Sequence, residues 1–152
     1  LVDDKVLKTL LDNGLMPVVS PLSADDKGTL LNINADTVAA AIGAALGAEK
    51  LILCTGAPGI LENVADPGSV ISFTDLKGLE RLRQSGAIKD GMLPKAKAIE
   101  EAIRGGVQRV HVISYDAPDS LLTEVFTNEG MGTLIVNDVN ALSPAEQQVG
   151  KA

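Results

Sequence analysis

The chain carries one cysteine, one histidine, one tyrosine, two phenylalanines and no tryptophan among 152 residues. One Cys and one His exclude both a disulfide framework and a zinc site, and no metal-ligating residues are assigned. Thirteen basic residues stand against twenty acidic ones, a net charge of -7, and no Lys/Arg block has interleaved aromatics, which argues against nucleic acid as a partner. No apolar run is long enough to span a bilayer and no signal-peptide pattern is present, so a cytoplasmic location with no membrane partner is expected. Internal repeats and low-complexity segments are also missing.

What is there is an ordinary globular composition, 45% hydrophobic and 22% charged, in a length that suits one domain. Val2, Val6, Leu7, Leu10 and Leu11 fall at helical spacing before an Asn13-Gly14 stop. Met16 to Ser20 reads as a short strand, Ser23 to Gly28 as a turn, and Asp36 to Leu46 as an Ala-rich helix too apolar to face water on any side. Lys50 to Cys54 is continuously apolar, which predicts a strand covered on both faces and a buried, reduced Cys54. A weak strand near Val70-Ile71 is followed by a helix over Asp75 to Gln84 with Leu76, Leu79 and Leu82 inward, and by another from Met92 with Ala96, Ile99 and Ile103 at helical spacing. Gln108 to Ile113 is a strand, Asp119 to Phe126 a helix and Leu134 to Val136 the last strand. This succession predicts a three-layer α/β/α domain on a mostly parallel open sheet over residues 1–136, with a polar tail at 137–152.

The stretch richest in chemistry is Asn32-Ile33-Asn34-Ala35-Asp36, at the entry of the Ala-rich helix. Extended backbone would send residues 32, 34 and 36 to one side, and Asp36 stands where an N-cap belongs. Two readings follow: a plain helix cap with loop-shaping asparagines, or a converging polar cluster. Lys95 lies in a helix's first turn, where the dipole disfavours a cation, so it is either solvated or held to meet an anion. Thr55-Gly56-Ala57-Pro58-Gly59 leaves the carboxyl end of a strand, where open α/β sheets bind ligands; the alternative is a simple strand exit. His111 alternates with Val110 and Val112 and is read as a hydrogen-bonded structural group on the opposite face. An acid, a cation, glycine loops and helix N-termini together suit phosphoryl transfer, which needs positioning and charge neutralisation. Physics alone also leaves open a small-molecule binding module.

Five segments in order resemble the acetylglutamate kinases of the amino acid kinase family: Asn32 to Asp36 with its helix, Gly59-Ile60-Leu61, Gly91-Met92-Leu93-Pro94-Lys95, Arg109-Val110-His111-Val112-Ile113, and Glu129-Gly130-Met131-Gly132-Thr133. The resemblance runs over about residues 1–136. It implies a C-terminal, nucleotide-binding portion of an enzyme that uses ATP and Mg2+ to phosphorylate the side-chain carboxylate of N-acetylglutamate, in arginine biosynthesis. By resemblance, Asn32 holds the acetylglutamate with Asn34 beside it, Asp36 orients catalytic lysines, and Lys95 stabilises the phosphoryl group in flight. Thr55, Gly56, Gly59, Met92 and Lys95 would flank the nucleotide, and His111, Glu124 and Gly130 would bind arginine as an effector. Glu124 otherwise reads as part of a solvated helix face.

Two departures stand out. The family's Thr-Asp-x-x-Gly loop has Gly56 in place of the aspartate, a lost charged hydrogen bond of about 1.5–3 kcal/mol, so Gly56→Asp is expected to tighten nucleotide binding. By resemblance, the family's N-terminal lobe, with its Lys-Gly-Gly phosphate loop, is expected to lie outside this sequence, so these residues alone are expected to turn over little or nothing. An unpaired sheet edge and an uncovered apolar face then favour a homo-oligomer. The rival readings are a non-catalytic module sensing arginine or a nucleotide, and a related kinase acting on another acid such as aspartate or carbamate.

Overall fold

A computed structural model describes residues 2–127 and 130–141; Glu129 of the last motif and most of the polar tail lie outside the described residues. Helix α1 (Asp4–Asp12) starts where the Asp3 carboxylate accepts from the Lys5 N–H, and leads to an antiparallel hairpin of β1 (Leu22–Ala24) and β2 (Leu30–Asn32). Helix α2 (Ala35–Leu46) ends at Gly47, whose φ of 64° is the left-handed conformation a glycine adopts without steric cost. Strand β3 (Lys50–Thr55), strand β4 (Phe73–Asp75), helix α3 (Leu76–Gln84), helix α4 (Met92–Arg104), strand β5 (Arg109–Ser114), helix α5 (Ser120–Phe126) and strand β6 (Thr133–Val136) follow.

The main sheet has the order β3-β5-β6-β4. β3 and β5 run parallel from Lys50↔Arg109 to Thr55↔Ser114, β4 and β6 are parallel, and only the central β5–β6 step is antiparallel. Two of the three pairings are therefore parallel, as the alternating helix and strand pattern predicts. Val110 and Val112 point into the core with Leu53, Leu79, Ile99, Ala102, Ile103 and Ile135, beneath α2, α3 and α4. His111 points to the opposite face, where α5 covers it. The result is an α/β/α sandwich whose core is aliphatic and centred on α4 and β5.

Small residues decide how closely the helices approach. A Cβ on Gly105, at the end of α4, would lie 2.6 Å from the Ala44 Cβ of α2. Ala40, Ala96 and Ala102 are each at most 2% exposed, so α2 and α4 meet almost backbone to backbone. This contact brings the first turns of the two helices together.

Several expectations are corrected by the fold. Met16 to Ser20 is not a strand, because Pro17 and Pro21 remove ladder donors and Val18 is left 95% exposed. Val70 makes only an isolated bridge with Leu61, and the strand lies just beyond it at Phe73–Asp75. Cys54 is exposed rather than buried, because β3 is the edge of the sheet and only Leu53 within it is fully buried. Helix α2 buries only Ala40 and Gly43 completely. Its remaining apolar surface, with Val6, Val19 and Ile33, lines an open cavity of about 450 Å³ beside α1.

Candidate functional site

β3 and β5 are parallel neighbours, and each is preceded by a helix running back along the sheet. The N-termini of α2 and α4 therefore sit at the same end as the carboxyl ends of β3 and β5. Four pieces of chain collect there: the two helix starts, the Thr55 to Gly59 loop and the loop from Tyr115 to Asp119.

At the entry of α2 the capping assignment differs from the sequence expectation. Asn34, not Asp36, is the N-cap: its Oδ1 accepts from the N–H groups of Asp36 at 2.9 Å and Thr37 at 3.3 Å. Strand β2 ends at Asn32, so the alternation of 32, 34 and 36 does not continue through the helix start. Freed from capping, Asp36 turns to α4, where its Oδ1 accepts from Lys95 Nζ at 2.8 Å. The Lys95 side chain is 10% exposed and that of Asp36 23%. A cation in a first turn, largely removed from water, requires such a partner. Lys95 is thus held in place and not a freely solvated side chain.

The pair still leaves positive character at this end of the sheet. Lys95 keeps two further N–H donors, and two helix N-termini contribute partial positive charge beside it. An anion with several oxygens is the ligand this arrangement suits. Asn32 is exposed at the end of β2, and Asn34 retains its side-chain NH2 group as a donor. Met92 opens α4 and packs its half-buried side chain on the core.

The Thr55 to Gly59 loop is fastened from two sides. The Thr55 carbonyl accepts from the Tyr115 N–H at 2.9 Å. Beyond Gly59, the Ile60 N–H donates to Thr133 Oγ1 at 2.8 Å, across 73 residues of sequence. The sequence marks Thr133 only as the end of a motif and gives it no role at this loop, because its partner lies far away along the chain and only the fold brings the two together.

The residues assigned to arginine form a separate cluster on the other face of the sheet. His111 Nδ1 lies 2.6 Å from Glu124 Oε1, and Glu124 Oε2 accepts from the Met131 N–H at 2.7 Å, next to Gly130. The Glu124 side chain is 4% exposed, so it is not part of a solvated helix face. His111 Nε2 is buried with no hydrogen-bond partner among the described residues. Burial pushes the Glu124 carboxyl up, but hydrogen bonds from His111, Met131 and Gly132 outweigh it and hold the group below its ordinary value of 4.5. A carboxylate so shifted stabilises the fold fully above that value and loses its contribution as pH falls through the lowered pKa. Glu124→Gln is therefore expected to cost about 1.5 kcal/mol at neutral pH. Thermal melts of the variant should also show a weaker acid dependence than wild type below pH 4.5.

Among the described residues no helix is long and apolar enough to cross a membrane. The amino acid kinase family's sequence pattern matches residues 1–114. Among curated proteins, acetylglutamate kinase of Archaeoglobus fulgidus is 48% identical over 134 residues, covering 88% of this chain and 46% of that protein. The acetylglutamate kinase of Myxococcus xanthus is 48% identical over 144 residues, covering 95% and 46%. The chain thus spans about half the length of the curated relatives it matches. In three dimensions it is similar to N-acetylglutamate synthase from Neisseria gonorrhoeae, solved with coenzyme A and L-arginine, with a TM-score of 0.82 and 27% identity over 90% of this chain and 31% of that one. Together with the fold and the paired helix starts, these matches establish that the chain belongs to the amino acid kinase family.

Proposed function

We propose that this chain is the nucleotide-binding portion of a kinase that phosphorylates the side-chain carboxylate of N-acetylglutamate, a step of arginine biosynthesis, in the cytoplasm. The observation that carries the reading is the Asp36–Lys95 pair at two adjoining helix N-termini. Lys95 would bear on the transferred phosphoryl group, where charge spread over equatorial oxygens calls for a fixed cation. Asp36 would hold Lys95 in that position, and Asn32 and Asn34 would meet the acetylglutamate. Thr55, Gly56, Gly59 and Met92 would flank ATP. Among the described residues no three His, Cys, Asp or Glu side chains converge on one point. Mg2+ would arrive on the nucleotide's phosphates, the usual habit of that ion.

The test is N-acetylglutamate-dependent release of ADP from ATP. It is run on the chain alone and on a fusion in which the preceding half of the Myxococcus xanthus relative is joined to its N-terminus. The chain alone should turn over negligibly and the fusion should be active. Enzyme-like turnover by the chain alone would contradict the half-site reading, and a folded fusion that phosphorylates carbamate or aspartate instead would contradict the substrate.

A second reading, arginine sensing, is favoured by the cluster of His111, Glu124 and Gly130 and by the L-arginine in the similar synthase structure. A guanidinium would compete with His111 for the Glu124 carboxylate. Exposed apolar side chains at Met16 and Val18 and the open edge of β3 are consistent with association of the chain with a second copy.

A further inference from the structure

The loops that follow β3 and β5 meet at Gly56. A Cβ placed there would lie 2.9 Å from the Tyr115 hydroxyl, 3.4 Å from Tyr115 Cζ and 3.9 Å from Asp116 Oδ2. The space beside Gly56 is thus filled from the neighbouring loop, by a phenol and a carboxylate. That loop is anchored at its base. The Asp116 N–H donates to Ser114 Oγ at 3.1 Å, and the Ser114 carbonyl accepts from the buried Ser120 hydroxyl at 2.6 Å. The two side chains at its tip nevertheless face solvent, Tyr115 being 67% exposed and Asp116 also exposed.

We propose that Asp116 supplies, from the β5–α5 loop, the carboxylate that position 56 lacks, and that Tyr115 and Asp116 form the nucleoside end of the nucleotide site. The inference rests on the reading of this sheet end as a nucleotide site. Its chemistry follows from charge. A carboxylate repels phosphate and accepts from neutral donors, such as ribose hydroxyls or a base's amino group. The phenol ring offers a face on which a base can stack. Phosphates belong instead with Lys95 and the two helix N-termini, so the site has a cationic end and an acceptor end. Glycine at 56 is part of this arrangement, because any side chain there displaces Tyr115. An aspartate at 56 would also place a second negative charge beside Asp116. The proposal therefore predicts that Gly56→Asp alone weakens binding, the opposite of what the family's loop pattern implies.

The test is calorimetric titration of ADP, with and without Mg2+, into the wild-type chain, Asp116→Asn, Gly56→Asp and the double variant, with melting midpoints measured for all four. Asp116→Asn should weaken ADP binding on the order of tenfold in both conditions. Gly56→Asp combined with Asp116→Asn should return affinity to within roughly threefold of wild type, since one carboxylate again faces the ligand. Wild-type binding that Asp116→Asn leaves unchanged would overturn this inference and leave the nucleotide-site reading standing. So would a loss seen only with Mg2+, which places Asp116 on the metal, or a double variant no better than Asp116→Asn. ADP failing to bind any of the four would overturn both.

Discussion

Lys95→Ala is expected to lower kcat/KM for phosphoryl transfer in the fused protein by about two to three orders of magnitude, the loss typical of one preorganised charge stabiliser. The expectation follows from how Lys95 is held. Its Nζ is 2.8 Å from Asp36 Oδ1, its side chain is 10% exposed, and it stands in the first turn of a helix that on dipole grounds alone would reject it. That combination stores a cation where an anion should arrive, and it does so without reorganisation at the moment of reaction. Lys95→Arg should not restore the rate, because a planar fork cannot take the place of a compact ammonium between two closely packed helices. Asp36→Asn should act mainly through Lys95. It leaves a mostly buried ammonium beside a neutral amide, costing about 1–2 kcal/mol of stability once the partial exposure of Asp36 is allowed for. Initial rates across ATP concentrations, paired with melting curves, separate the two effects.

Gly132→Ala is expected to be the most damaging small substitution for stability among those that bear on the site. A Cβ at position 132 would overlap the carbonyl oxygen of Val112 and crowd Ile113 Cγ2 at 3.1 Å. The obstacle is backbone in the central strand β5, so no rotamer change relieves it. The cost is about 3 kcal/mol, toward the upper end for overpacking, and would lower the melting midpoint by roughly 10 °C in a chain of this size. The damage would spread to the Thr55–Gly59 loop, because the next residue, Thr133, pairs with Val112 and holds the Ile60 N–H. A midpoint unchanged in the variant would mean that the junction of β5 and β6 gives way more easily than its packing indicates.

Local signals carried much of this architecture into the sequence. The leucines at 76, 79 and 82 and the run Met92, Ala96, Ile99 and Ile103 have helical spacing, and the structure turns those faces to the core. The Val110/His111 alternation likewise placed the histidine opposite the valines. What escaped was set by tertiary contacts. Whether Asp36 caps its own helix or reaches Lys95, 59 residues away, depends on how closely α2 and α4 pack, and the neighbouring Asn34 is an equally good cap. Cys54 lies in an apolar run, but its exposure depends on β3 having, among the described residues, a strand on one side only. Tyr115 and Asp116 carry no local signature, and Thr133, though it ends one of the five motifs, carries no sign of its partner; strand order brings all three to the Thr55–Ile60 loop. The antiparallel β5–β6 step was equally hidden, because helix-and-strand alternation reads the same whichever way the last strand enters.

The most direct measurement is a calorimetric titration of Mg-ADP into the chain and into its Lys95→Ala variant. Saturable binding by the wild type, weakened about tenfold or more in the variant, is the result expected if the Asp36–Lys95 pair marks the phosphate end of a nucleotide half-site. Equal affinity in the two proteins, or no binding by a wild-type chain that melts cooperatively, would contradict it.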